Sequence, residues 1–299
     1  MKQLEGKVAF ITGGAGGIGF GMAQVFLKSG MKVIIADILQ ERLDEAERIL
    51  AQSTNRDYHF IKVDVTDRKA MAAAAEEAER VFGKVHVLCN NAGVYGNLPI
   101  ETASYADWDW VLGVNLGGVI NGLVSFIPKM IAHGEGGHIV NTSSMAGLIP
   151  LPSAGGLYAT SKFAVRGLTD SLRLALGAHN IGVSVLCPGM TRTHILEAEQ
   201  HRPRHEARPV DDAAGADLFN PDMSDGMDPV ELGERVLLGI QQNDAYILPH
   251  GEFKDEVQGL FDDIIAGFPG GQDIAPGRKL FEDMRRQATA EAKATIKND

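Results

Sequence analysis

The feature that most limits what this chain can fold into is a glycine turn between a short apolar run and a helical one. Residues 7–12 are mostly apolar and stop at Gly13, Gly14, Ala15, Gly16, Gly17, Ile18 and Gly19; Met22, Ala23, Val25, Phe26 and Leu27 then recur at helical spacing. A short apolar run closed by glycines reads as a buried strand. Strand, glycine turn and helix start together leave free backbone N–H groups and the positive end of the helix dipole at one point. Missing side chains let a phosphate approach that point. Glycines alone often mark only a tight turn, but here both flanks are those a dinucleotide-binding turn requires.

The rest of the chain repeats the alternation. Residues 32–37 read as a second buried strand ending in Asp37, 18 residues past Gly19. A carboxylate at that distance accepts hydrogen bonds from an adenosine ribose and repels a 2′-phosphate. The blander role for Asp37 is a cap on the helix that follows. No Arg or Lys stands in the glycine turn or directly after Asp37, so NAD is expected over NADP. Further strands are read at 58–63, 85–89, 137–142 and 182–187, with a last short one at 246–249. Helices are read at 70–82, 108–131 and 229–242. Such alternation gives an α/β fold, a parallel sheet covered on both faces. Asn115 sits in mid-helix, a poor place for Asn unless its side chain has a partner.

Residues 190–228 break the pattern. They are rich in Pro, His, Asp and Arg and too long for an inert connection, so a mobile lid or substrate loop is expected. His201 and His205 are four apart, but Pro203 intervenes and no third ligand is evident, so no metal is expected. Two more helices, 253–268 and 279–297, follow the last strand. With no repeat and no second glycine turn, the chain divides into a domain over 1–250 that carries the lid and a helical C-terminal extension over 251–299.

The formal net charge of −11 excludes nucleic acid and anionic membrane surfaces as expected partners, since both call for a basic face. The N-terminus lacks an apolar signal core and no unbroken apolar run of about 18 residues occurs, so a cytoplasmic location is expected. Cys89 and Cys187 end strand-like runs and read as buried reduced thiols.

One pair carries chemistry. Tyr158 and Lys162 open a helical run and share a face one turn apart. A phenol with a pKa of about 10 is a poor base at neutral pH; a nearby ammonium is expected to supply part of the stabilisation its phenolate needs, and a bound cationic ring the rest. With Tyr158, Ala159, Thr160, Ser161 and Lys162 in place, the chain resembles the short-chain dehydrogenase/reductases over residues 7–249. Gly13, Gly17, Ile18 and Gly19, Asp64 and Val65, Asn90 to Gly93, Asn115, Ser143 and Ser144, Pro188 and Gly189 complete the likeness. The resemblance implies a Rossmann doubly wound parallel sheet of seven strands. It implies that Tyr158 is the general acid/base, that Ser144 holds the same substrate oxygen, that Lys162 holds the nicotinamide ribose and lowers the phenol pKa, and that Asn115 positions a water. Gly13, Gly17, Ile18, Gly19, Asp37, Asp64, Val65, Asn91, Gly93, Pro188 and Thr193 fall to the cofactor, NAD, together with Tyr158 and Lys162. The segment between Ser144 and Tyr158 is slightly longer than the commonest family spacing, which leaves Ser143 as a rival.

The long lid, residues 244–249, the helical tail and residues 107–110, 113–122 and 138–140 also resemble the sphingomonad Cα-dehydrogenases of lignin-derived aryl alcohols. Val94, Tyr95, Met145, Leu151, Leu157, Met190 and Ile195 are expected along the substrate side. They are nearly all apolar, and no Arg or Lys is among them. The expected reaction is NAD-dependent interconversion of a hydrophobic, aromatic secondary alcohol and its ketone, by a homotetramer or homodimer. The alternatives are a reductase of steroid, cyclic or quinone-like carbonyls, an epimerase or dehydratase, and a non-catalytic NAD-binding protein.

Overall fold

In the computed structural model the described residues are 1–202, 222–271 and 273–296. Pro203, His205, residues 203–221 of the expected lid and the last residues of the tail lie outside them. The strands are β1 (Val8–Thr12), β2 (Lys32–Asp37), β3 (Tyr58–Lys62), β4 (Val87–Asn90), β5 (Gly137–Thr142), β6 (Ile181–Leu186) and β7 (Tyr246–Ile247). They form one parallel sheet in the order β3-β2-β1-β4-β5-β6-β7. The chain winds outward from β1 to β3, then returns to add β4 beside β1. Open α/β sheets place their ligand crevice at that reversal.

Helices cover both faces. On one lie α1 (Gly17–Lys28), α2 (Gln40–Leu50) and α7 (Pro229–Gln242), whose Met22, Phe26, Leu43, Leu232 and Val236 pack with Ala9, Ile11, Val33 and Ile35. On the other lie α3 (Arg68–Phe82), α5 (Gly118–His133) and α6 (Gly156–Leu176), whose Met71, Phe126 and Val165 pack with Val8, Phe10, Ile34 and Ala36. Adjacent strand residues thus enter opposite cores, which is why these strands read as unbroken apolar runs. Cys89 and Cys187 are buried free thiols.

The expected helix over 108–131 starts earlier. Ser104 and Asp107 form a capping box that begins α4 at Tyr105, and α4 (Tyr105–Leu112) passes through a wide π turn, Gly113–Gly117, into α5. Tyr105–His133 is by length and composition apolar enough to cross a membrane, a property the sequence reading missed because Asn115, Asn121 and Lys129 interrupt the apolar run. Here its α5 part packs on β4 and α3, and its α4 part on α6. After β7, α8 (Lys254–Ala266) and α9 (Pro276–Ala294) form the tail. Arg166 of α6 lies over the rings of Tyr246 and Phe261, joining β7 and α8 to the sheet's flank.

Backbone contact between α1 and α7 sets how the crevice is framed. A Cβ on Gly21 would stand 2.0 Å from the Pro229 carbonyl oxygen. Gly21→Ala should therefore force the helices apart and destabilise the protein by about 1–3 kcal/mol. Gly259→Ala, on exposed α8 with nothing within 4 Å of the added carbon, should instead stabilise by roughly 1 kcal/mol. Urea denaturation of both variants checks the contrast; equal effects would contradict it.

Candidate active site

The glycine turn leads from the end of β1 into α1. Gly13 and Gly17 have φ of +60° and +46°, which side chains rarely adopt. A Cβ at Gly17 would lie 2.8 Å from the Thr193 methyl carbon, and one at Gly19 would lie 2.0 Å from the Gly13 carbonyl oxygen. Gly17 and Gly13 line a cavity of about 320 Å³ with Ile18, Asp37, Asp64, Val65, Asn91, Gly93, Tyr158, Lys162, Pro188 and Thr193. The structure thus gathers twelve of the residues singled out in the sequence around one space. Gly19, Asn115 and Ser144 are not on its lining; Gly19 is spent on the packing of the turn.

Asn91 fixes the floor. Its Nδ2 donates to the Thr12 and Gly13 carbonyls at 3.1 and 3.3 Å, and Thr142 Oγ1 donates to its Oδ1 at 3.3 Å. The ends of β1, β4 and β5 are thereby tied together. Asp37 accepts from the amides of Ala15 and Leu39 at 3.3 and 3.1 Å. Burial raises its carboxyl pKa, against the lowering effect of those amides and of Arg42.

At the other end stand Tyr158 and Lys162 on α6, both buried. The two serines separate. Ser143, the rival, lines the cavity while its Oγ donates to the Lys162 carbonyl at 2.8 Å. Ser144 Oγ donates to the Pro188 carbonyl at 3.4 Å and accepts from the Ala146 amide at 3.1 Å, and the hydroxyl pulls the nearby Tyr158 phenol pKa down. Lys162 Nζ donates to the Thr142 carbonyl at 3.0 Å and lies 5.4 Å from the Tyr158 ring centroid. Asn115 is fully buried in the π turn. Its Oδ1 accepts from the Val94 amide at 2.8 Å, and its Nδ2 donates to the Val94 carbonyl and Ser161 Oγ at 3.0 and 2.9 Å. Both amide donors are thus engaged with protein, and the side chain braces the Val94 strand end.

Electrostatics differ from the sequence expectation that Lys162 lowers the phenol pKa. Burial pushes Tyr158 up to about 12, with the Ser144 hydroxyl pulling the other way. Burial also brings Lys162 down to about 8. With protein groups alone, desolvation is the largest cause for both and favours the neutral form of each.

Several wall residues were not read from sequence. Arg42, in the first turn of α2, lines the cavity beside Asp37, and a Cβ on Gly16 would meet its Cδ at 3.7 Å. An arginine does therefore stand at the ribose end; the signal for it was helical reach from a residue five positions past Asp37. Asp109, Trp110, His194, Ala198 and His201 also line the space. Of the expected substrate wall, Tyr95, Leu151 and Ile195 pack with Tyr158, and their ring contact places Tyr95 and Tyr158 4.9 Å apart.

Lys162 gives a measurable consequence. Its ammonium persists to pH 10.5 in the unfolded chain and only to about 8 in the folded one. Between those values the unfolded chain holds more protons, so stability rises with pH. The penalty is fully present below about pH 8 and is lost above 10.5, and the displacement amounts to roughly 3 kcal/mol. Lys162→Met should be more stable than the parent at pH 7, by that amount less about 1 kcal/mol for the lost hydrogen bond to Thr142. The advantage should fade toward pH 10.5. Denaturant titrations at several pH values decide it; an advantage that does not vary with pH would be inconsistent with a buried ammonium.

Known proteins share this arrangement. A family model for short chain dehydrogenases matches residues 7–204. A Cα-dehydrogenase of Sphingobium sp. (strain NBRC 103272 / SYK-6) is 40% identical over 293 residues, 97% of this chain and 93% of that protein. The apo form of LigO from Sphingobium sp. strain SYK-6 superposes with a TM-score of 0.78 at 41% identity, covering 96% of this chain and 97% of its own. A short chain dehydrogenase/reductase from Burkholderia phymatum, solved in complex with NAD, superposes with a TM-score of 0.84 at 34% identity over 92% of this chain and all of its own. By sequence model, by whole-length identity and by fold, this chain belongs to the short chain dehydrogenase family.

Proposed function

We propose that the chain is an NAD-dependent dehydrogenase that interconverts a hydrophobic, aromatic secondary alcohol and its ketone. The observation that carries this reading is the Tyr158 phenol beside Lys162, in a structure where the cavity lined by both also reaches the glycine turn and Asp37. Gly13 and Gly17, open to approach, suit a pyrophosphate, and Asp37 suits a ribose diol. Asp64, Val65, Asn91 and Gly93 would hold the adenosine side, and Pro188 and Thr193 the nicotinamide side. When bound, NAD takes up or returns the hydride.

Within the protein, Tyr158 removes the carbinol proton in oxidation and returns it in reduction, and Ser144 donates to the same oxygen. Lys162, held by the Thr142 carbonyl, would hold the nicotinamide ribose and carries positive charge next to the phenol. Asn115 holds the Val94 backbone, which sets the edge of the site, and a water in the relay would meet its backbone rather than its occupied amide. Tyr95, Leu151, Ile195 and Leu196, packed around Tyr158, offer apolar surface with no cationic clamp, which disfavours a carboxylate or phosphate ester. Similarity to a Cα-dehydrogenase along almost the whole chain supports the same substrate class. We place the protein in the cytoplasm, as one domain over 1–250 with residues 251–299 as its extension.

A panel of secondary alcohols with NAD, followed by NADH absorbance, should show aryl carbinols fastest; sugars or small hydroxy acids in that place would refute the apolar-site reading. Tyr158→Phe should bind NADH and lose turnover by about 10²–10⁴-fold or more, and retention of a tenth of the activity would remove Tyr158 from its role. Assembly is proposed as a homotetramer or homodimer, because Ile120, Val124 and Phe163 on α5 and α6 are exposed. Light scattering should give a multiple of the 32.1 kDa chain mass, and a monomer at micromolar concentration would refute it.

A further inference from the structure

The segment after β6 crosses the cavity as a strap. Its 3₁₀ turn, Ile195–His201, has no buried residue of its own. Ile195, Ala198 and His201 line the space from above. Ile195 and Leu196 pack on the Tyr95 and Tyr158 cluster, and Ala198 packs on the Trp110 cluster. One end is fastened where Thr191 bridges Met227 and Arg192 pairs with Asp228. At the other end the single buried side chain is a charged one. The side chains of Arg202 and Asp107 are 2% and 1% exposed.

A guanidinium is rarely buried this deeply unless paired. Arg202 Nη1 donates to Asp107 Oδ1 at 2.7 Å and to Glu199 Oε1 at 3.1 Å. Its Cζ lies 4.9 Å from the Trp110 ring centroid, a cation–π seat on α4. Nε and Nη2 find no acceptor among the described residues. That leaves the closed position less favourable than a fully satisfied pair would make it, as an element that must open requires. Asp107 is rigid because it also caps α4, accepting from the Ser104 amide and hydroxyl at 2.8 and 2.7 Å.

We propose that Arg202 is a positioning residue: its ion pair with Asp107, seated on Trp110, latches the strap so that Ile195 and Leu196 wall the substrate space beside Tyr158. The inference rests on the dehydrogenase reading above for the identity of that space. With the latch loosened, Ile195 and Leu196 lose a fixed position, and a bulky substrate loses its wall while a small one loses little.

The experiment compares full-length Arg202→Met and Arg202→Lys with the parent, in a Trp108→Phe background where Trp110 is the only remaining tryptophan. The expected result for Arg202→Met is a KM for an aryl secondary alcohol raised about tenfold or more, and a smaller change for a short aliphatic alcohol. Greater acrylamide quenching of Trp110 should accompany it. Arg202→Lys, which keeps the charge but not the planar stack, should restore part of the KM. Unchanged KM and quenching would overturn the latch. So would an equal fall of kcat on every substrate together with a lower melting temperature, which marks a structural brace. If Arg202→Met does not fold, the double variant Asp107→Asn/Arg202→Met removes the buried carboxylate charge as well and is held to the same outcomes. If the parent oxidises no secondary alcohol, the functional reading falls, and the quenching comparison still decides whether the latch exists.

Discussion

Nearly every strand side chain is buried, on one face of the sheet or the other, and that constraint decides where chemistry can stand in this protein. Strand interiors must be apolar, so polar groups collect at the strand ends that point into the crevice. There they satisfy one another. Asn90 Nδ2 donates to Asn141 Oδ1 at 2.8 Å, and Asn141 Nδ2 donates to Thr169 Oγ1 at 3.1 Å. Thr12 Oγ1 accepts from the Asn91 and Ala92 amides at 2.9 and 3.1 Å. This lattice joins β1, β4 and β5 at the reversal of the sheet. It gives the glycine turn, Thr142 and Ser144 fixed positions before any ligand is considered.

The same burial explains how much was legible in the sequence. β2, β5 and α7 fall on the bounds read from apolar runs and helix signals, because a doubly covered parallel strand has little choice of residue. The site residues were legible where backbone geometry dictates the residue type, as at Gly13 and Gly17. Tyr158 and Lys162 were legible because helical spacing alone puts them on one face. The start of α4 was misplaced by three residues, since the cap at Ser104 precedes the apolar periodicity. What stayed hidden depends on how elements roll against each other. Arg42 reaches Gly16 only through the orientation of α2. Arg202 and Asp107 are 95 residues apart, and no local pattern announces their pairing.

The acid/base pair shows where a sequence argument about charge stops. From sequence, the ammonium is expected to supply part of the phenolate's stabilisation and a bound cationic ring the rest; with protein groups alone, Tyr158 rises to about 12 and Lys162 falls to about 8. Both changes have one cause: low-dielectric surroundings penalise whichever form is charged. A phenol that must release and recover a proton cannot work from so high a pKa at neutral pH. Among the described residues Ser144 pulls the phenol pKa down, and Lys162 directs its hydrogen bond to the Thr142 carbonyl. The remaining stabilisation of the phenolate has to come from positive charge brought close to the ring by whatever fills the cavity. Burial therefore acts as a condition on the chemistry. It keeps the phenol protonated while Lys162 stays charged below about pH 8, and the same low dielectric strengthens every charge that enters the crevice. A strap that closes over that crevice then sets the substrate wall and the dielectric together, because Ile195 and Leu196 cover the ring whose proton has to move.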